Sequence, residues 1–266
     1  MSSPSKLAKK IARVFRVPKK IVLYFKEFGF AKGWGYLKKL RISPKTGEVV
    51  QIEAPSLGRT LSIRAGTSDT FVMEALILYD DSELPSEVTN SVQGSKGLVV
   101  DAGANIGLNT LLMHKKWPNH TIIALECDKE NYEILLKNVQ GIPQVKPMLA
   151  ALWHSKTMVE IADPSVPAWS RQVKEGGAGT SKVQALSLSD ILAETQSHEI
   201  AFLKCDIEGA EKSVMDALDP QTAPILAALV ELHERKVVGC ESSFYEFAKR
   251  YGKKVTRAGE YHLAAP

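Results

Sequence analysis

Apolar and polar positions along this chain fall into two regimes. From residue 98 onward, short runs of consecutive apolar residues alternate with segments whose apolar residues recur at helical spacing. LVV (98–100), TIIALE (121–126), VKPMLAALW (145–153), TMVEI, IAFLKCD (200–206) and ILAALVELH (225–233) read as strands, with Pro147 weakening the first half of the third. LNTLLMHKKW, KENYEILLKNV, LSLSDILAE, GAEKSVMDAL and SSFYEFAKRYG read as helices, and KKVTRAG with EYHLAA as a closing strand pair. Strands without polar alternation, separated by helices, predict a parallel sheet covered on both faces, an α/β domain over residues 95–266.

Before it, VVQIEAPSLGRTLSIR (49–64) alternates enough for a hairpin. GTSD (66–69) reads as a turn and helix N-cap, and FVMEALILYDD as a helix. Gly94 and Gly97 read as a linker, so residues 46–94 are expected to form a small β and helical cap. Residues 163–182 read as a polar loop.

Charge changes the picture at the N-terminus. Residues 1–45 carry thirteen Lys or Arg against Glu27 alone, a net +12. That leaves −8 for the rest of a chain whose total is +4. SKLAKKIARVFRVPKKIVLYFKEFGF interleaves these cations with Leu, Ile, Val and Phe, and Pro18 divides it into two helical pieces. Such an arm suits an anionic membrane surface, or packs its apolar side on the body with its lysines solvated. A mitochondrial presequence fits less well, because lysines outnumber arginines. A composition of 44% apolar and 24% charged residues places the chain among globular proteins. No run approaches the about 18 apolar residues of a membrane span, and no secretory h-region is visible. Cys127, Cys205 and Cys240 lie at spacings that fit neither a disulfide frame nor a zinc site. The expected location is therefore cytoplasmic, with peripheral membrane contact through residues 1–45 as an added possibility.

The candidate chemistry begins at VVDAGANIG (99–107). A strand ends on Asp101 and passes at once through Gly103, Asn105 and Gly107, and the next strand ends on Glu126, followed by Cys127. This is not the GxGxxG dinucleotide turn, and no GxxxxGK[ST] phosphate loop occurs. A carboxylate at the head of the turn repels a pyrophosphate but suits a sulfonium-bearing amino acid, and Glu126 can accept from a ribose diol. The combination favours S-adenosylmethionine over a nicotinamide cofactor. A plain strand–helix turn, with glycines for close packing, is the alternative.

VVDAGANIGLNTLL, IIALECDKENYEILLKNV, LSLSDIL, FLKCDIEGAEKSVMDAL and LVELHE, in this order, resemble the FkbM-type S-adenosylmethionine-dependent methyltransferases over about residues 57–233. LSIRAGTSDTFVMEALI resembles a segment preceding the core of such proteins. KCDIEGAE is the most specific element. The resemblance implies a class I methyltransferase fold, Rossmann-like, with a seven-stranded sheet and a final antiparallel strand. It also implies O-methylation of a sugar, glycan or other secondary-metabolite hydroxyl. Two departures are Cys127, where the family often has proline, and Cys205, where an aliphatic is usual.

Methyl transfer to oxygen needs the hydroxyl held near the methyl group and an acceptor for its proton. Asp101, Gly103, Asn105, Gly107, Glu126 and Cys127 are the expected cofactor cradle. Asp206, Glu208, Glu211, Glu231 and His233 are the expected catalytic group, with Glu208 and Glu211 three apart on one helix face. His233 is the preferred base from its ordinary pKa near neutrality, and Asp206 the other candidate. The same cluster could bind a divalent metal, or its members could cap helices and pair with Lys204 or Lys212. Trp153 suits either adenine or the core, Cys205 suits the core, and Trp169 and Arg171 could contact a sugar. A nucleic-acid methyltransferase is disfavoured, because [DNS]-P-P-[YF] and a Pro-Cys pair are absent and the body is acidic. The non-enzymatic alternative is a silent fold that binds a partner or membrane through its arm.

Overall fold

The computed structural model describes residues 20–78, 84–161, 173–175 and 182–266. The helical piece expected before Pro18, most of the polar loop, and Trp169 and Arg171 lie outside these residues. The chain divides into two compact units, residues 1–81 and 82–266.

In the first unit, helix α1 (residues 20–28) turns at Gly29 into α2 (Phe30–Leu37), which ends in a π turn, Lys38–Ile42. Gly33 lets these helices touch: a Cβ there would lie 2.7 Å from the Tyr24 carbonyl oxygen. β1 (Val49–Ala54) and β2 (Arg59–Arg64) form the expected antiparallel hairpin, and the alternating burial of β1 gives it one covered face. α3 (Asp69–Met73) continues as a π turn, Glu74–Leu78. Within the GTSD segment Ser68 makes no side-chain cap, and Thr67 Oγ1 accepts the Asp69 N–H at 3.2 Å. Asp69 turns back instead to Arg64, taking Nε at 2.8 Å and Nη2 at 2.9 Å.

The second unit opens with α4 (Ser86–Gly94), within the stretch that the sequence assigns to the cap. There follow β3 (Leu98–Ala102), α5 (Leu108–Lys116), β4 (Ile122–Glu126), α6 (Lys129–Val139), β5 (Val145–Leu152) and β6 (Thr157–Ile161). Next come β7 (Val173–Glu175), β8 (Lys182–Leu186), α7 (Leu188–Thr195), β9 (Ile200–Cys205) and α8 (Glu211–Ala217). β10 (Ile225–Glu231), α9 (Cys240–Arg250), β11 (Lys254–Ala258) and β12 (Tyr261–Ala265) complete the unit. One sheet has the order β11-β12-β10-β9-β3-β4-β5-β8-β6-β7. Its first seven strands are the expected seven, parallel except for β12, which runs antiparallel between β10 and β11. β8, β6 and β7 extend it beyond β5. Pro147 is tolerated inside β5 because β8 pairs with Ala150, Ala151 and Leu152, downstream of the proline.

The central strands β3, β4 and β9 are buried along their whole length, which is why their sequences show no alternation. Alternation survives as a choice of face. Leu98, Val100 and Ala102 pack into a core with Ile191, Val214, Phe244 and Phe247 of α7, α8 and α9. Asp101 points to the other face, where it meets Thr110 of α5, and Phe202 stacks on Trp117 at 4.9 Å between ring centroids. The order of strands reverses between β3 and β9, and ligands of open parallel sheets bind beyond the strand ends at such a point.

Candidate active site

The turn after β3 holds two left-handed glycines, Gly103 (φ 76°) and Gly107 (φ 86°), and left-handed Asn105 (φ 51°). Backbone packing requires glycine at Gly103, and the left-handed backbone favours it at Gly107. A Cβ on Gly103 would overlap the Asp206 carbonyl, and one on Gly107 would lie 2.5 Å from Leu135 Cδ1. The turn is thereby pressed against the end of β9 on one side and α6 on the other.

Glu126 organises what faces the opening. It is buried, and its two oxygens accept the backbone N–H of Asn105 at 2.7 Å and of Asp128 at 2.8 Å. Burial pushes its carboxyl up to about 7, against the pull of those two donors. Each oxygen keeps a further acceptor site, so the residue can still take a diol. Asn105 Oδ1 is buried with no hydrogen-bond partner, an orphan acceptor beside the same turn. Asp101 Oδ2 accepts from Thr110 at 2.6 Å, and Lys204 Nζ stands 3.6 Å from its Oδ1. Burial raises the Asp101 carboxyl, and Lys204 opposes the rise. Cys127 is half-buried beside this turn and packs against the Ala151–Val159–Val183–Ala185 cluster, which Trp153 also joins.

The KCDIEGAE octet forms the facing wall, and each polar residue in it has its own task. Lys204, buried in β9, donates to the Gly103 carbonyl at 3.0 Å and lies 3.5 Å from Asp206 Oδ2. Burial would lower its pKa, but the charges of Asp206 and Asp101 outweigh burial and raise it, so the ammonium stays charged. Glu208 sits in a left-handed turn (φ 60°) ahead of the helix, not on it, since α8 begins at Glu211. The expected shared helix face is therefore absent. Glu211, fully buried, binds that turn by accepting the N–H of Ile207 at 2.9 Å and of Gly209 at 2.8 Å. Cys205 is core, and burial raises its thiol.

His233, two residues past β10, draws the wall together. Its Nδ1 lies 2.8 Å from Glu211 Oε1. Its Nε2 is 3.2 Å from Glu208 Oε2, 3.8 Å from Asp206 Oδ1 and 3.9 Å from Glu231 Oε1. All five expected catalytic residues thus meet, although they come from two strand ends. Lys212 pairs with Asp216, and the cation at Glu208 is Lys236. Burial alone would lower the pKa of His233. The hydrogen bond and charge of Glu211, followed by the charges of Glu208 and Asp206, outweigh burial and raise it to about 9. Glu231 is pushed up to about 7 by burial and the neighbouring Asp206 charge. The preference for His233 as the base rests on its ordinary value. Among four carboxylates it holds its proton at neutral pH and acts as a donor. Ligand atoms of Asp206, Glu208 and His233 lie within 4.8 Å of one another, close enough for one cation to bind all three.

The residue that sequence reasoning passed over is Lys204, named only as a spare partner for other groups. Its signal was a lysine inside the apolar run IAFLKC, since a buried lysine must find carboxylates.

Comparison with known proteins matches the family description "Methyltransferase FkbM domain" to residues 101–252, more than half of the chain. The chain belongs to the FkbM methyltransferase family. Among curated relatives it is 29% identical over 177 residues to Methyltransferase sdnD of Sordaria araneosa, covering 54% of this chain. It is 27% identical over 162 residues to Methyltransferase 1 of Beauveria bassiana (strain ARSEF 2860), covering 52% of this chain. The matches span 65% of the length of each of those two relatives. The fibrillarin pre-rRNA processing protein of Methanococcus jannaschii superposes with a TM-score of 0.40 at 10% identity, covering 84% of this chain and 83% of its own. Among the described residues no helix is long and apolar enough to cross a membrane.

Proposed function

We propose that this chain is a cytoplasmic S-adenosylmethionine-dependent O-methyltransferase acting on a hydroxyl of a sugar, glycan or other small secondary metabolite. The observation that carries the reading is Lys204. It ties the Gly103 carbonyl, in the turn suited to the cofactor, to Asp206, in the wall suited to the acceptor. The orphan Asn105 Oδ1 and the free acceptor sites of Glu126 fit the cofactor's hydrogen-bond donors. Three cysteines outside any disulfide fit a reducing compartment.

When bound, S-adenosylmethionine supplies an electrophilic methyl group. The protein's share is to hold the hydroxyl, exclude water and take the proton. Asp206 is the proton acceptor. Lys204 and His233 orient its carboxylate, and Glu231, poised at about 7, passes the proton on to solvent. Glu211 fixes the ring of His233 and the turn that carries Glu208. A second reading places a divalent cation at Asp206, Glu208 and His233, where it would lower the pKa of the hydroxyl. Glu211 on Nδ1 would then leave Nε2 to the metal.

Calorimetric titration of S-adenosylhomocysteine into the full chain and into Glu126→Ala tests the cradle. Tight binding to the first and weak binding to the second is expected, and no binding to a folded full chain removes the reading. Release of S-adenosylhomocysteine in the presence of hydroxylated acceptors tests the chemistry. A fall of at least about a hundredfold in Asp206→Asn is expected. Loss of turnover on chelation, restored by Mg²⁺ or Mn²⁺, selects the metal reading.

A further inference from the structure

The first unit carries an apolar stripe wider than the unit itself covers. On α2, Gly33 and Leu37 are buried, while Phe30 and Trp34, next to them around the helix, stand 76% and 49% exposed. Phe30 meets Phe25 of α1 at 4.9 Å between ring centroids, so the stripe continues across the bend at Gly29 to Val22, itself 62% exposed. Four large apolar side chains thus form one face over two helices whose contact is fixed by Gly33 against Tyr24.

The charges around this face have one sign. Lys26 follows Val22 by one helical turn, and Lys38 follows Trp34 by one. Lys26, Lys38 and Lys39 are exposed and form no ion pair with a carboxylate among the described residues. Of the other described cations of this unit, Lys20 and Arg41 pair with Glu74, Lys32 with Glu53, Lys45 with Glu48 and Arg64 with Asp69. The sequence upstream, residues 1–19, adds six cations and no acid. Aromatic side chains bordered by free lysines match a surface that is anionic at its boundary and apolar beneath.

We propose that the α1–α2 face docks on an anionic lipid bilayer. Phe25, Phe30, Trp34 and Val22 enter the headgroup region, and Lys26, Lys38 and Lys39 meet the lipid phosphates. The inference stands apart from methyl transfer, since none of these residues belongs to the cofactor turn or the carboxylate wall.

The test is co-sedimentation of the full chain with phosphatidylcholine vesicles and with vesicles enriched in phosphatidylserine. Binding to the anionic vesicles is expected to be at least about tenfold tighter and to weaken with added salt. Phe30→Ser/Trp34→Ser keeps every charge and is expected to lose about tenfold in affinity, because apolar burial is removed. Lys26→Ala/Lys38→Ala/Lys39→Ala keeps the aromatics and is expected to lose the preference for anionic lipid. Both variants should keep the parent's hydrogen-exchange protection in residues 20–78, which shows that the first unit is folded. Three outcomes overturn the proposal: no vesicle binding, undiminished binding by Phe30→Ser/Trp34→Ser, or a concentration-dependent dimer that this variant abolishes. The second would place the attraction in charge alone, and the third would make the face a contact between copies.

Discussion

Asp101 and Lys204 are register partners on adjacent parallel strands, and both are buried. The ammonium lies 3.6 Å from one carboxylate and 3.5 Å from another, Asp206, and donates to the backbone between them at Gly103. A lysine so placed does more than neutralise charge, because it fixes the separation of the two loops that bound the site.

Lys204→Met therefore leaves two buried or half-buried carboxylates without a shared cation. It is expected to destabilise the second unit by about 3 kcal/mol or more, read from denaturant midpoints. Lys204→Met/Asp101→Asn removes the stranded charge as well and should regain part of that loss, while affinity for S-adenosylhomocysteine stays low. A double variant no more stable than the single one would show that the pair is not electrostatically coupled.

The raised pKa of His233 makes stability depend on pH with a defined sign. Its folded value is about 9 against an ordinary 6.5. Its contribution is thus full below pH 6.5 and disappears as pH rises through 9. Melting temperature of the parent chain should fall across that window by on the order of 5 °C more than that of His233→Gln, which has no such proton to lose. Parallel melting curves over the window would mean that the carboxylates around the ring do not hold its proton.

Glu126 gives an opposite trend in binding. With its carboxyl raised from 4.5 to about 7, the free protein loses stability between those pH values, yet the ionised form is the better acceptor for a ribose diol. Affinity for S-adenosylhomocysteine should rise about tenfold as pH passes from one unit below 7 to one unit above. Glu126→Gln should bind weakly and without that slope. Calorimetry at the two pH values decides it.

The strands and the site were legible in the sequence to different depths. β3, β4 and β9 were visible because strands buried on both faces are written as unbroken apolar runs. Asp101, Glu126 and Asp206 were visible because such runs rarely stop on acids. Glu208 was misplaced on a helix. Its spacing to Glu211 is helical, but the following glycine permits a left-handed turn that Glu211 then ties down. The protonation of His233 could not be read, since it depends on carboxylates from another strand end meeting the ring in space. Of the strands that extend the sheet, β6 is legible as TMVEI, whereas β7 and β8 are hidden because they lie within or at the end of a segment that reads as a polar loop.

In the first unit one buried carboxylate gathers three donors. Glu74 is buried and accepts from Lys20 at 2.6 Å, from Tyr24 at 2.9 Å and from Arg41 Nε at 2.7 Å. Burial would raise its pKa, but these donors outweigh burial and lower it, so its contribution persists above the ordinary carboxylate range and is lost only on strong acidification. Glu74→Ala strands a guanidinium, an ammonium and a buried phenol at once, with an expected loss of about 3 to 5 kcal/mol local to this unit. Hydrogen exchange should then speed up in residues 20–78 and stay unchanged in β3, β4 and β9, with S-adenosylhomocysteine affinity intact. Faster exchange in those strands as well would show that the two units unfold together.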